Sequence, residues 1–212
     1  MFVTGADGML GASICRELLH QGFEVVAMIL PTSKSNVLQG LKIQIVEGDI
    51  LDKEFLEKVM IDCDMVINAA ALTNVWPARS TKVMKVNIEG TKNVMGVAEM
   101  YNMKRMVHIS SAATFNHGSI EDPGNENHLF DGWKFGLDYV NSKYIAQEML
   151  IKKHSRDGFP VIIINPTFMI GPFDSGPSSG KMIIGLYKDK FPGYSTGGKN
   201  FVYSADVAVA AA

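Results

Sequence analysis

Short apolar runs alternate along the chain with longer stretches in which apolar residues recur at helical spacing. The runs contain many β-branched residues and lack a strict period of two, which is typical of strands buried on both faces of a parallel sheet. Such runs lie at 2–3, 24–29, 42–46, 64–68, 105–109 and 160–165, and helical spacing covers 9–21, 53–61, 80–102, 137–154 and 179–190. The alternation predicts right-handed βαβ crossovers, and therefore an α/β fold with a doubly wound parallel sheet and helices on both faces.

The composition is that of a globular protein and gives no sign of a polyanionic partner. Of the 212 residues, 47% are hydrophobic, and the 20 Lys and Arg residues are balanced by 22 Asp and Glu residues without clustering. We therefore expect no nucleic acid and no membrane as partners. The apolar runs are too short to span a bilayer, and the N-terminus lacks the basic and long apolar regions of a secretory signal.

The cysteines and histidines do not form a pattern that binds metal. Cys15 and Cys63 are not spaced as metal ligands or as a disulfide framework, so we expect no metal and a reducing, cytoplasmic setting. His108 lies inside a predicted strand and is expected to be a core residue, and the polar segment 116–131 is expected to shape a substrate entrance. Trp76 and Trp133 are candidates for flanking the substrate.

A glycine-rich loop follows the first predicted strand. The segment TGADGMLG places Gly5, Gly8 and Gly11 at three-residue intervals, directly before an amphipathic helix. Gly5 permits a tight turn, Gly8 lets the backbone approach a pyrophosphate, and Gly11 lets the helix pack close to the sheet. Phosphates would then meet free N–H groups and the positive end of the helix dipole, so the loop predicts nucleotide binding. Its GxxGxxG spacing differs from the commoner GxGxxG.

The ends of the next two strands carry the candidate contacts to adenosine. After the second strand the segment MILPTSKSN contains no acid that could bind the ribose 2′-OH of NAD, whereas Ser33 and Lys34 are within reach of a 2′-phosphate. This favours NADP over NAD as the cofactor. Asp49, after the third strand, can accept a hydrogen bond from the adenine amino group, although a solvated loop carboxylate is an equally ordinary explanation.

The segment DYVNSK places Tyr139 and Lys143 four residues apart, on one face of a predicted helix. That spacing alone is also typical of an ordinary exposed helix face. The order of the surrounding motifs decides between the two interpretations. The motifs are TGADGMLG at 4–11, GDI at 48–50, NAAA at 68–71, VNIEGT at 86–91, HISSAAT at 108–114, YVNSK at 139–143, NPTFMIGP at 165–172 and FVYSADVA at 201–208.

With these motifs in this order, the chain resembles the extended branch of the short-chain dehydrogenase/reductase superfamily, in particular its NAD(P)-dependent epimerase/dehydratase and dihydroflavonol-reductase-like group. The resemblance implies a Rossmann-like fold and a cofactor site whose residues can be carried over one by one. Gly5, Asp7, Gly8, Met9 and Leu10 would line the pyrophosphate, Asp49 and Ile50 would contact adenine, Ala69, Ala70 and Ala71 would pass beside the nicotinamide ribose, and Pro166, Thr167, Phe168 and Met169 would lie beside the carboxamide.

The resemblance also implies the catalytic residues. Tyr139 would be the acid/base, Lys143 would tune it and hold the ribose, Ser111 would position the substrate oxygen, and Asn87 would support a proton-relay water. The chemistry is reasonable because a phenol with a pKa of about 10 needs a nearby positive charge to shuttle protons at neutral pH. Ser111 follows a strand of the predicted sheet, at the end where such folds bind ligands.

The chain departs from the family pattern on the substrate side. Asn165 stands where the family usually has Arg or Tyr, Phe115 stands where it has Tyr, and Ser204 stands where it has a further Asp. These departures leave the substrate open. We expect a Rossmann-like domain at 1–170 and the beginning of a small substrate-binding lobe at 171–212, because GPFDSGPSSG at 171–180 is the longest stretch without periodicity. Both ends of the sequence are abrupt, which suggests part of a longer chain.

Three functions remain open from the sequence. The first is NADP(H)-dependent reduction of a carbonyl, or oxidation of an alcohol, on a small organic substrate. The second is a nucleotide-sugar epimerase or dehydratase that keeps NAD⁺ bound. The third is a dinucleotide-sensing protein without catalysis. The resemblance further implies a homodimer, formed through the predicted helices 80–102 and 137–154.

Overall fold

The computed structural model describes residues 1–34, 36–193 and 196–212, so that Ser35, Tyr194 and Ser195 lie outside the described residues. Strands and helices alternate as the sequence predicts. In chain order they are β1 (Phe2–Thr4), α1 (Met9–His20), β2 (Val26–Ile29), β3 (Gln44–Glu47), α2 (Lys53–Met60), β4 (Met65–Asn68), α3 (Thr81–Met100), β5 (Arg105–Ile109), α4 (Asp138–Asp157), β6 (Val161–Ile164), β7 (Phe168–Ile170), α5 (Gly180–Tyr187), β8 (Phe201–Tyr203) and α6 (Ser204–Ala211). Short 3₁₀ turns cover Ala112–Thr114 and Gly132–Phe135.

The main sheet has six strands in the order β3-β2-β1-β4-β5-β6. Each neighbouring pair in it is parallel, which confirms the predicted doubly wound α/β fold. The two halves of the sheet meet between the neighbouring strands β1 and β4, where Thr4 pairs with Asn68. The strand order reverses at this place, because β2 and β3 lie on one side and β5 and β6 on the other. In sheets of this type, ligands bind outside the carboxyl ends of the strands at such a switch point. The glycine loop after β1 therefore lies at the position where folds of this type bind ligands.

The core lies on both sides of the sheet. Alternate side chains of β1 point to opposite faces, so that Val3 packs with α1 and α6, while Phe2 packs with α2, α3 and α4. Both side chains are fully buried. A three-residue strand is thus enough to connect the two halves of the core, because its neighbours β2 and β4 cover it on both edges.

Two strands at the edges of the sheet are less buried than the apolar pattern suggests. Ile45 of β3 is 48% exposed and Ile162 of β6 is 42% exposed. The expectation of burial on both faces therefore holds for the central strands and is wrong for these edge positions. An apolar run alone cannot distinguish the two cases, because the number of neighbouring strands depends on the strand order.

The region from residue 168 onward contains a pair of strands that the sequence does not predict. The short strands β7 and β8 pair in parallel to form a second sheet, in which the Phe168 and Phe201 rings meet edge to face with centroids 5.6 Å apart. Helix α6 packs against α1, and Val207, Ala208 and Ala211 belong to the core on that side of the main sheet. The proposed boundary between 170 and 171 stays a prediction, and α6 is structurally part of the larger unit.

Candidate active site

The three loop glycines have different local roles. Gly5 has a φ of +62°, and a Cβ there would lie 2.8 Å from the Cα of Ala70. A Cβ on Gly11 would lie 2.1 Å from the Gly5 carbonyl oxygen. At Gly8 the added atom would be 3.4 Å from that same oxygen, which is ordinary contact, and Gly8 is exposed. The fold itself requires Gly5 and Gly11, whereas Gly8 leaves open space in front of α1, as a bound pyrophosphate would need.

A buried polar chain fixes the end of β4 against this loop. The Thr4 hydroxyl donates to the Asn68 side-chain oxygen at 2.7 Å and accepts the Ala70 N–H at 3.0 Å. The Asn68 Nδ2 lies 3.2 Å from His108 Nδ1. Burial, and secondarily the charge of Lys143, hold the pKa of His108 well below its usual value, so its ring is a neutral core group as predicted. This chain places Ala69, Ala70 and Ala71 beside the glycine loop, and sequence reasoning gave neither Thr4 nor Asn68 a role.

Tyr139, Ser111 and Lys143 meet at the carboxyl end of β5. Tyr139 is in the first turn of α4, and Ser111 follows β5 as the N-cap of the 3₁₀ turn, where its Oγ accepts the Ala113 N–H at 3.2 Å. Burial raises the pKa of Tyr139, and a hydrogen bond from the Ser111 hydroxyl acts in the opposite direction. The phenol therefore holds its proton firmly at neutral pH.

Lys143 is buried, and its ammonium donates to the Ile109 carbonyl oxygen at 2.8 Å. Burial lowers its pKa from 10.5 to about 8. The sequence leads us to expect that Lys143 lowers the pKa of Tyr139. In the structure Tyr139 shifts the other way, because loss of solvent outweighs its polar contacts. A bound oxidised nicotinamide would add the second positive charge on which that expectation depends.

Asn87 of α3 connects this helix to α4 and to the segment after β4. Its Oδ1 accepts the Leu72 N–H at 2.8 Å, and its Nδ2 donates to the Leu72 carbonyl oxygen at 3.0 Å and to Ser142 Oγ at 2.9 Å. Ser142 in turn donates to the Tyr139 carbonyl oxygen at 2.8 Å. These contacts hold the segment after β4 against α3 and α4. The predicted proton-relay role of Asn87 stays a prediction, and its contacts are those of a residue that positions α4.

Among the predicted adenosine contacts, Lys34 lines a cavity of ≈640 Å³, whose other lining residues are Asp7, Asn36, Val37, Ser175 and Gly176. Ser33 donates to the Asp7 carboxylate, so that Asp7 stands beside the segment after β2. An acid from the glycine loop therefore lies beside the segment after β2, which has no acid of its own. Lys34 is exposed at the same cavity.

The remaining cofactor candidates lie at neighbouring strand ends. Asp49 is exposed and accepts the Leu51 N–H at 2.9 Å, whereas Ile50 is buried against Gly90. Ala112 N–H donates to the Pro166 carbonyl oxygen at 3.0 Å, so the turn carrying Ser111 touches the segment after β6.

Thr167, Phe168 and Met169 continue from Pro166 into the second sheet. The Thr167 hydroxyl donates to Asn200 Oδ1 at 2.8 Å, and the Lys199 ammonium lies 4.1 Å from the Phe168 ring centroid. Phe168 and Met169 belong to β7, so these two candidate carboxamide contacts are held in a strand, whereas Pro166 and Thr167 precede it. Sequence reasoning missed this because each strand of the pair has three residues.

The two tryptophans are not enclosed in the described structure. Trp76 is 81% exposed, and Trp133 is 51% exposed and packs edge-on against Phe130 and Tyr144. Whether either flanks a substrate stays a prediction. Cys15 and Cys63 are both free thiols, and burial raises the pKa of Cys15 to about 12, so this thiol is unreactive at neutral pH.

Residues 1–34, 36–193 and 196–212 contain neither a membrane-spanning helix nor a cluster of metal-binding side chains. No helix in those ranges is both long enough and apolar enough to cross a membrane. Nor do three or more His, Cys, Asp or Glu side chains in the described part of the chain come together as a metal site would require.

The chain is similar in sequence to known reductases and in structure to a solved protein. Over 208 residues the chain is 31% identical to a putative dihydroflavonol 4-reductase of Synechocystis sp., covering 98% of this chain and 60% of the relative. It is 27% identical to a 2-alkyl-3-oxoalkanoate reductase of Shewanella oneidensis over 179 residues, covering 82% of this chain and 45% of that protein. The crystal structure of gox2253 superposes with a TM-score of 0.91 at 28% identity, covering 99% of this chain and 64% of the other.

The chain thus spans from under half to just under two thirds of the length of these three proteins. The model of the NAD dependent epimerase/dehydratase family matches residues 1–212, which include the glycine loop, the Ser111–Tyr139 pair and Lys143. The chain belongs to the NAD dependent epimerase/dehydratase family.

Proposed function

We propose that the protein is an NAD(P)-dependent oxidoreductase that reduces a carbonyl, or oxidises an alcohol, on a small organic substrate. The observation that carries this proposal is the placement of Tyr139 and Lys143 one helical turn apart on α4, with both side chains at the carboxyl end of β5, where Ser111 also lies. The names of the reductases similar to this chain support it.

The proposed chemistry follows from the state of each side chain. The bound dinucleotide supplies or accepts the hydride. In the reducing direction, Tyr139 gives its proton to the alkoxide oxygen that forms, and its raised pKa keeps that proton available at neutral pH. Ser111 would hydrogen-bond the same oxygen, and the ammonium of Lys143 would hold the ribose hydroxyls of the dinucleotide. Asn87 keeps α4 in place through Ser142.

For the cofactor, we propose a preference for NADP(H). Lys34 stands exposed at the adenosine-side cavity, and the end of β2 provides Leu30 where NAD-binding relatives of this fold carry an acid. Asp7 acts against this preference because its carboxylate would repel a 2′-phosphate. The balance between Lys34 and Asp7 therefore decides which dinucleotide binds more tightly.

A second candidate function is nucleotide-sugar epimerisation or dehydration, which the description of the family favours. Such an enzyme returns the hydride to its own product and keeps its cofactor, whereas a reductase oxidises one reduced dinucleotide for each turnover. A dinucleotide-sensing protein without catalysis would need neither Tyr139 nor Lys143, and this chain carries both, one helical turn apart on α4.

The experiment that separates these functions is a screen of small ketones and aldehydes with the purified full-length protein and reduced dinucleotide, followed by cofactor absorbance. Stoichiometric oxidation of NADPH by at least one carbonyl compound is the expected result. Conversion of a nucleotide sugar without net cofactor oxidation would establish the epimerase or dehydratase instead, and dinucleotide binding with neither reaction would establish the sensor.

We also propose a homodimer in a cytoplasmic setting. Helices α3 and α4 border a groove of ≈870 Å³ with apolar side chains from Met95, Ile145, Met149 and Ile151. A second copy would cover this groove, and the free thiols suit a reducing compartment. Light scattering should give twice the monomer mass for the parent and a single mass for Met149→Lys. A parent that is monomeric at micromolar concentration would overturn the dimer.

A further inference from the structure

Gln147 lies on the same face of α4 as the two catalytic candidates. It follows Tyr139 by eight residues and Lys143 by four, so the three side chains form a row along the helix. Gln147 is partly buried. Its side chain is directed at the turn that carries Ser111, as its hydrogen bonds show.

Three polar side chains surround the Gln147 side-chain oxygen. Ser110 Oγ lies 2.6 Å from it, Asn165 Nδ2 also lies 2.6 Å from it, and Thr114 Oγ1 lies 3.1 Å from it. Ser110 and Thr114 are buried. Polar groups that are taken out of water and satisfied in this way form a rigid network, and each would be costly to leave without a partner.

Asn165 completes the network on the other side of the turn. Its Nδ2 lies 3.0 Å from the Ser111 carbonyl oxygen and 2.9 Å from Thr114 Oγ1. Thr114 Oγ1 also lies 2.7 Å from the Ser111 carbonyl oxygen. The Ser111 backbone is therefore held by β6 through Asn165 and by α4 through Gln147.

The consequence concerns the position of the Ser111 hydroxyl. Ser111 caps the 3₁₀ turn, so the direction of its hydroxyl depends on where the turn stands relative to α4. A catalytic group has to be held to within about 0.5 Å of its productive position, and supporting hydrogen bonds provide that precision. From these contacts we propose that Gln147 and Asn165 are a positioning pair that aligns the Ser111 hydroxyl with Tyr139. The proposal rests on the function proposed above.

The chemistry of the pair also explains one departure from the family pattern. Asn165 stands where the family usually has Arg or Tyr. The short amide donates to the neutral amide of Gln147 and still reaches the Ser111 carbonyl oxygen. The pair thus links the turn that carries Ser111 to α4 and to the end of β6.

The test uses three variants of the full-length protein and the carbonyl substrate from the screen. Gln147→Met keeps the length of the side chain and removes the acceptor, whereas Gln147→Glu keeps an acceptor at the same place. Gln44→Met makes the same chemical change at an exposed position of the edge strand β3. We expect kcat to fall about tenfold in Gln147→Met, to recover mostly in Gln147→Glu, and to be unchanged in Gln44→Met, with cofactor Kd within about twofold throughout.

A double-mutant cycle shows whether the effect passes through Ser111. If it does, Gln147→Met should add less than a further twofold loss of kcat in a Ser111→Ala background, because the group being positioned is already gone. If Gln147→Met does not fold, Asn165→Ser replaces it in the same cycle, since Asn165 is partly exposed and water can occupy the space.

Three results would overturn the positioning pair: unchanged kcat in the single variant, full additivity in the cycle, or a loss confined to cofactor affinity. Failure of the proposed function has a different signature. In that case Tyr139→Phe and Ser111→Ala would themselves leave turnover intact, whereas failure of the pair alone leaves both of those losses in place.

Discussion

Gly11 and Gly8 of the glycine loop have different roles, because the fold requires Gly11, whereas Gly8 leaves space for a ligand. A methyl group at Gly11 would collide with the backbone of Gly5, whereas Gly8 has a φ of −77° and a ψ of 165°, which alanine also adopts. We predict that Gly11→Ala strongly destabilises the protein or prevents folding. Gly8→Ala should change the free energy of unfolding by no more than about 1 kcal/mol but weaken dinucleotide binding at least about tenfold.

Urea unfolding and calorimetric titration of the two glycine variants check this contrast. Equal losses of stability in both variants would mean that Gly8 serves the turn alone. Unchanged dinucleotide affinity in a folded Gly8→Ala variant would show that the pyrophosphate does not bind at this loop.

The buried ammonium of Lys143 makes stability depend on pH in a defined direction. Burial lowers its pKa from 10.5 to about 8, so between these values the unfolded chain holds a proton that the folded protein has released. The free energy of unfolding of the parent should therefore rise with pH in this window, relative to Lys143→Met, by roughly 1.4 kcal/mol per pH unit. Below about pH 8 both states are protonated and the difference should be constant.

Urea unfolding of the parent and of Lys143→Met between about pH 7 and pH 10 measures this effect. Lys58→Met, which removes an exposed lysine from α2, is the control and should follow the parent. Parallel curves for the parent and Lys143→Met across the whole range would show that Lys143 is not desolvated as described.

At the residue scale, the sequence predicts the part of the site that is local in the chain. Tyr139, Lys143 and Ser111 can be found because they lie in the short motifs YVNSK and HISSAAT, which resemble the family pattern when read with the other motifs in order. Gln147 and Asn68 depend on partners on other elements, such as Ser110 for Gln147 and Thr4 for Asn68. No spacing in the sequence encodes those contacts, since they arise only when the strands take their order in the sheet.

At the scale of elements, the proposed preference for NADP(H) rests on the segment after β2 and on the glycine loop. Lys34 and Asp7 line one cavity with opposite charges. We predict that NADP(H) binds at least as tightly as NAD(H) in the parent, that Lys34→Glu reverses the order, and that Asp7→Asn increases the ratio in favour of NADP(H). The reason is that the 2′-phosphate is attracted by the lysine and repelled by the carboxylate.

Calorimetry with both dinucleotides measures these ratios, and Lys42→Glu, an exposed position before β3, controls for the change in net charge. A clear preference of the parent for NAD(H) would contradict the NADP(H) assignment while leaving the dinucleotide site in place. If Lys42→Glu changed the ratio as much as Lys34→Glu, net charge and not contact would be responsible.

Elements with a long period are predicted well, and short ones are not. Helices α3 and α4, of 20 residues each, coincide closely with the predicted helices 80–102 and 137–154. The three-residue strands β7 and β8 are missed, because three residues show no periodicity and their pairing brings together residues 168 and 201. The exposure of the edge strands β3 and β6 could not be predicted either, since the strand order, which no local pattern encodes, determines which apolar runs lie at an edge.

At the scale of the whole molecule, the strand order brings the separate motifs to one edge of the sheet. The glycine loop follows β1, the Ala69–Ala71 segment follows β4, and Ser111 follows β5, in three strands that are adjacent and parallel. Helix α4 crosses from β5 to β6 and places Tyr139 and Lys143 over the same edge. The predicted fold class therefore explains why residues more than a hundred positions apart can share one reaction.

The most direct test of the proposed reaction is steady-state kinetics of Tyr139→Phe. This substitution removes one hydroxyl, so unfolding and dinucleotide binding should match those of the parent. Turnover of the carbonyl substrate should fall by roughly 10²–10⁴-fold, which is the usual contribution of a positioned proton donor. Turnover within about threefold of the parent would contradict the assignment of Tyr139 as the acid and, with it, the proposed mechanism.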